Sequence, residues 1–242
     1  LDPRTGIIIE TPNIQEWKDF PLAEKLSSRF NIPVYLGNDA NLAVLGEWRY
    51  GAGQGHDHLL YLTISTGVGG GIISDGHLLK GQIGLAGELG HVTVQADGPV
   101  CSCGQKGHLE AFSSGTGIAN YVETQLAEGT ESSLRSQTKQ TAKSIAEAAR
   151  EGDALAISAY QRAGKYLGIG VASFLHIFNP SIVIFGGGVS QSGDLLFEPF
   201  KASLQEHVFN PAYLKDLAIT TAALGDNAGL LGALALVGMK EA

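Results

Sequence analysis

The chain has 242 residues, with 16 Lys+Arg against 24 Asp+Glu, a net charge of −8, and 44% hydrophobic and 17% charged residues. A chain of this length and make-up forms one large or two smaller globular domains and buries a core without disulfide staples. Its acidic balance, with no block of basic residues, argues against a grip on nucleic acid or on an anionic membrane. The longest apolar stretch, Gly229 to Met239, falls far short of the roughly 20 residues that a membrane span requires.

Glycine is the compositional outlier: 33 of 242 residues is about twice the usual share of roughly 7%. The glycines cluster at Gly67, Gly69, Gly70 and Gly71 and at Gly186, Gly187 and Gly188, each time directly after an apolar run of β character. Glycine at a strand end lets the backbone come close to a ligand, so the clusters predict phosphate or nucleotide contacts; two tight turns are the alternative.

In chain order, Thr5 to Glu10 reads as a short strand, Pro21 to Phe30 as a helix, and Ile32 to Leu36 as a buried strand. That strand runs into Gly37-Asn38-Asp39-Ala40, where a helix carrying Ala43, Val44 and Trp48 begins. Polar side chains at such a junction lie at the carboxyl end of a strand, where open α/β sheets bind ligands. Residues 51–58 are turn-rich and mark the expected domain boundary. Leu59 to Ser65 and Gly71 to Ser74, closed by Asp75-Gly76, predict a hairpin. Lys143 to Ala149 is helical, and Asp153 is placed to cap a long helix that ends at Asn179-Pro180. Ser181 to Phe185 is a continuous apolar strand of the kind covered on both faces. A helix around Leu195 to His207, a strand at Ala218 to Ala222 and a final helix after Asp226 complete the pattern. The alternation predicts an α/β fold with a mixed or parallel sheet.

Two constellations carry chemistry. The only cysteines, Cys101 and Cys103, fall in Cys-Ser-Cys-Gly-Gln-Lys-Gly-His, with His91 upstream and His108 at its end. Two thiolates and two imidazoles suit tetrahedral zinc, and Gly104 and Gly107 permit a tight knuckle; free thiols in a reducing cytosol are the alternative. Asn38, Asp39, Glu88, His91 and Glu110 together could read the hydroxyls of a polyol. Each acid taken singly could equally be a solvated residue or, for Asp39, a helix cap. Zinc at the knuckle would fix the positions of Glu88 and Glu110.

These segments resemble the ROK family (repressor, open reading frame, kinase) of the actin/hexokinase-like, ribonuclease H-like superfamily. The likeness rests on Asn38-Asp39-Ala40-Asn41 with Leu45-Gly46-Glu47, Ser65 to Gly71, Ala86 to His91, Cys101 to Glu110, Ile184 to Gly188 and Leu224 to Ala228, and runs nearly end to end. It implies ATP- and Mg²⁺-dependent phosphorylation of a hexose, at carbon 6, in the cytoplasm, by a homodimer or higher oligomer. Asp39 matches the catalytic base. Asn38, Asp39, Glu88, His91 and Glu110 match sugar contacts, Thr66 and Gly67 the second phosphate loop, and Gly186, Gly187 and Gly188 the segment beside the adenosine. His91, Cys101 and Cys103 match ligands of a structural zinc, with His108 where the family has a third cysteine. Ala86-Gly87-Glu88 is similar to the glucose and N-acetylhexosamine branches.

The family's Asp-x-Gly-Gly-Thr phosphate hairpin does not occur in these 242 residues. With Leu1 first, the resemblance therefore implies a two-domain fold lacking the first strands of its small domain, and a fragment inactive by itself. Its expected parts are residues 1–57, a remnant of the small domain carrying Asp39, and 58–242, the large domain with the knuckle, whose last helix (about 226–238) returns to the small domain. The rival is the sugar-sensing part of a ROK-type transcriptional repressor, which shares the fold.

Overall fold

The computed structural model describes residues 1–10, 14 and 16–241. Helices α1 (Leu22–Phe30) and α2 (Asp39–Tyr50) precede strands β1 (Leu59–Ile64), β2 (Val68–Ser74) and β3 (His77–Leu78). Helices α3 (Glu110–Ser113), α4 (Gly115–Ala127), α5 (Ala142–Arg150) and α6 (Ala154–Phe178) follow. Then come β4 (Ile182–Gly186), α7 (Asp194–His207), α8 (Ala212–Lys215), β5 (Ala218–Thr221) and α9 (Ala228–Glu241). The strands form one sheet in the order β3-β2-β1-β4-β5; β1 pairs antiparallel with β2 and parallel with β4, and β4 runs parallel to β5.

Alternation along the two central strands sorts the core into two layers. Leu60, Leu62 and Ile64 of β1 with Val183 and Phe185 of β4 face helices α4 to α7. Leu59 and Tyr61 with Ile182 and Ile184 face α2 and α9, where Val44, Leu45 and Leu236 cover them. A sheet buried on both faces explains why β4 is apolar throughout. No helix among the described residues is long and apolar enough to cross a membrane.

The crossing of α2 and α9 depends on two glycines. A Cβ on Gly46 would meet the carbonyl of Ala228 and stand 3.1 Å from the nitrogen of Gly232, and one on Gly232 would meet the carbonyl of Leu42. Gly46→Ala should therefore destabilise the protein by about 1–3 kcal/mol, because overpacking outweighs the gain of about 1 kcal/mol in helix propensity. Denaturant unfolding of the variant checks this, and a stabilised variant would contradict it.

The Asp153 cap is present. Its carboxylate accepts hydrogen bonds from the nitrogen of Ala156 (3.0 Å), the nitrogen of Ser133 (2.7 Å) and the hydroxyls of Ser132 and Ser133 (2.8 Å each). Burial opposes ionisation, but these bonds outweigh it and lower the group from 3.8 to about 2. Because the folded value lies below the unfolded one, the stabilisation is complete above 3.8 and is lost as pH falls toward 2. Asp153→Ala is expected to cost about 1 kcal/mol at neutral pH and lower Tm by about 2–4 °C. In thermal melts down an acid series the gap between wild type and variant should close over that window.

Several expectations are corrected. Residues 32–36 form no strand: Ile32 is 56% exposed, and no ladder partner lies beside them among the described residues. An apolar run without a neighbouring strand forms no ladder. In the stretch read as a strand from Thr5 to Glu10, only Ile7 and Ile8 form isolated bridges, to Asp2 and Phe20, and Gly6 turns the chain at φ +70°. The β5 strand stops at Thr221 and lies at an edge of the sheet.

The largest correction concerns Gly69, Gly70 and Gly71. They lie inside β2, paired with Thr63, Leu62 and Tyr61, and are not part of a ligand loop. A Cβ on Gly71 would stand 2.6 Å from Cγ1 of Val44, and one on Gly70 2.5 Å from Cδ1 of Leu89. Their lack of side chains admits α2 on one face of the strand and Leu89 on the other.

Candidate active site

The N-terminal end of β2 is the floor on which the candidate residues meet. Helix α2 begins above it, with Ala40 over Gly69. Asn38, not Asp39, caps this helix: its side chain accepts from the nitrogens of Ala40 (3.0 Å) and Asn41 (3.2 Å). Asp39 is thus the first helical residue, exposed, with Oδ1 accepting from the neighbouring nitrogen of Ala40 (2.8 Å). The cap reading for Asp39 is overturned, and the residue is exposed.

Exposed Glu88 opens a short 3-10 turn over Leu89–His91, and Gly87 reaches its φ of +92° against Gly70. Glu110, at the start of α3, reaches the turn between β1 and β2. Its Oε2 accepts from the nitrogen of Val68 (3.0 Å), and its Oε1 accepts from the hydroxyl of Ser102 and the thiol of Cys101 (3.3 Å). Burial opposes ionisation, but the bonds from Ser102, Val68 and Cys101, with His91 nearby, hold the carboxyl below its usual range. Oε2, with a single donor, keeps a second lone pair for an incoming hydroxyl.

The knuckle is a compact loop. The Cys101 nitrogen donates to the carbonyl of Gln105 (2.8 Å), the Gly104 nitrogen donates to that of Cys101 (2.9 Å), and Gly104 and Gly107 take φ of +89° and +74°. It gathers ligand atoms of His91, Cys101, Cys103 and His108 within 4.8 Å of one another. Cys101 Sγ lies 3.7 Å from Nδ1 of His91, and Cys103 Sγ lies 3.3 Å from Nδ1 of His108. Tetrahedral zinc, with bonds of about 2.3 Å to sulfur and about 2.0–2.1 Å to nitrogen, sets neighbouring ligands about 3.5 Å apart, so the four residues fit it. Burial pushes the Cys101 thiol up in the absence of an ion.

Beyond the β1–β2 turn opens a cavity of about 760 Å³, with Thr66 and Gly188 at its wall together with Gly115, Lys143, Arg150 and Ser192. The Gly115 nitrogen donates to the carbonyl of Ser65 (2.7 Å) and fixes the turn to the start of α4. Gly67 borders a smaller cavity of about 170 Å³ beside Glu110. Gly186 and Gly187 do not line the large cavity. Substituents there would meet the hydroxyl of Tyr61 and the carbonyl of Ile64, so their lack of side chains serves strand packing. The sequence reading missed the α4 and α5 walls, although the small-residue run Ser113-Ser114-Gly115-Thr116-Gly117 was a signal for a close approach.

The ROK family profile matches residues 1–240. The chain belongs to the ROK family. The glucokinase of Thermotoga maritima is 39% identical over 241 residues, 98% of this chain and 76% of that protein. The ROK glucokinase of Streptomyces griseus, solved in complex with glucose and AMPPNP, superposes with a TM-score of 0.83 at 36% identity, over 98% of this chain and 78% of that one. A ROK family transcriptional regulator, a homologue of the E. coli MLC protein, gives a TM-score of 0.89 at 30% identity, over 99% of this chain and 60% of that one. The fold is the actin/hexokinase-like one of the ROK glucokinases.

Proposed function

We propose that this ROK protein is a sugar kinase that transfers the γ-phosphoryl group of ATP to the carbon-6 hydroxyl of glucose or an N-acetylhexosamine. The observation that carries the reading is the placement of an exposed, uncapping Asp39 at the same strand end as Glu110, beside a large cavity whose wall includes Thr66 and Gly188. Phosphoryl transfer rests on positioning and charge neutralisation, and Mg²⁺ bound with ATP supplies the latter on the phosphates. Asp39 receives the hydroxyl proton as the O–P bond forms. Asn38, Glu88, His91 and Glu110 orient the sugar. Lys139, Lys143 and Arg150 at the large cavity outnumber Glu123 and Glu147 there, a balance that suits an anionic nucleotide. Zinc held by His91, Cys101, Cys103 and His108 would stiffen the loop carrying Glu110.

The fold shared with the ROK regulator supports a second reading, a sugar-sensing domain without catalysis. A coupled assay of the protein with ATP, Mg²⁺ and a panel of hexoses separates the two. A phosphate ester on carbon 6 is expected, whereas sugar binding without turnover on any hexose would favour the sensor.

A further inference from the structure

Among the contacts around the knuckle, one is made by a residue that is neither in the ligand set nor among the sugar contacts. Ser102 stands between the two cysteines, and its hydroxyl donates to Oε1 of Glu110. The other oxygen of the same carboxylate takes the backbone N–H of Val68 at 3.0 Å. Val68 follows Gly67, and a Cβ on Gly67 would lie 2.5 Å from Oε2 of Glu110, so the glycine leaves the space into which the carboxylate reaches. The turn carrying Thr66 and Gly67 is itself tied to α4 through Ser65 and Gly115. A carboxylate held from both sides cannot rotate away from the turn unless one of these charge-assisted bonds breaks.

We infer that Ser102 is a positioning residue: through Glu110 it latches the knuckle to the Thr66-Gly67-Val68 turn, fixing that turn and the Glu110 oxygens that face the sugar. The thiol of Cys101 also donates to Oε1 at 3.3 Å, but a thiolate bound to a metal has no proton to give. Ser102 is then the knuckle's remaining side-chain donor to that oxygen. The functional half of the inference rests on the sugar-kinase reading; the latch itself does not.

The test uses this chain with Ser102→Ala and Ser102→Thr. Zinc content, amide hydrogen exchange at Val68 and glucose affinity are measured on each. Loss of one hydrogen bond to a charged group should speed Val68 exchange and weaken glucose binding, each roughly tenfold. Zinc content in the alanine variant should be unchanged, and threonine, which keeps the hydroxyl, should restore both values. Unchanged Val68 exchange in the alanine variant would overturn the latch. So would loss of zinc, which would place Ser102 in the knuckle's own integrity. A wild-type chain that binds neither glucose nor an N-acetylhexosamine would count against the sugar-kinase reading alone, since Val68 exchange still decides the latch.

Discussion

Asp39→Asn is expected to lower kcat by at least about 10²-fold, and by as much as about 10⁴-fold, while hexose affinity changes far less. Asparagine keeps the size of the side chain and one acceptor oxygen, so a hydroxyl contact survives, but an amide cannot take the proton as the sugar oxygen attacks phosphorus. The structure makes the experiment clean. Asn38 supplies the cap of α2, so the substitution leaves the helix start intact. The exposed charge at the first helical position is worth only about 0.3–1 kcal/mol through the helix dipole. Stability should therefore stay near that of wild type. A kcat within about threefold of wild type would remove Asp39 as the base.

Cys103→Ser is expected to abolish stoichiometric zinc binding. Protein purified without added metal should carry close to one zinc per chain by elemental analysis, and the variant almost none. Structural zinc sites of this kind bind with apparent free energies of about 10–16 kcal/mol in small peptides, and a serine hydroxyl does not replace a thiolate. Thiol reactivity gives a second readout. Cys101 is 3% exposed and Cys103 is exposed. With zinc both should resist a thiol reagent; after chelation Cys103 should react rapidly and Cys101 slowly. Metal-free protein with two freely reactive thiols would sink the zinc assignment. Acidification should release the metal as protons compete for its ligands.

Parts of this architecture were legible before any coordinates. Strand β4 is an uninterrupted apolar run and β1 is broken only by Thr63, and a strand buried on both faces admits little else. The long helix α6 carries its own punctuation, an aspartate at the start and Asn179-Pro180 at the end, because capping and chain reversal depend on residues within a few positions of one another. Cys101, Cys103 and His108 could be gathered from spacing, since a short loop with two glycines leaves few ways to place them, and His91 from its ligand chemistry.

Tertiary structure decided the rest, and the reason lies in what a side chain does or does not record. A strand exists only when another strand lies beside it, so Ile32 to Leu36 has the composition of a strand without the ladder. Glycine has no side chain to declare its use: Gly67 leaves room for the Glu110 carboxylate, whereas Gly70, Gly71, Gly186 and Gly187 admit packing neighbours. The same residue type thus serves a candidate site and a core, and only the atoms that approach it tell them apart. Glu110 shows the same limit for a charged residue. Its sequence position announces a carboxylate near two cysteines, while its hold on the Val68 N–H, 42 positions away, is a long-range contact that only the folded chain creates.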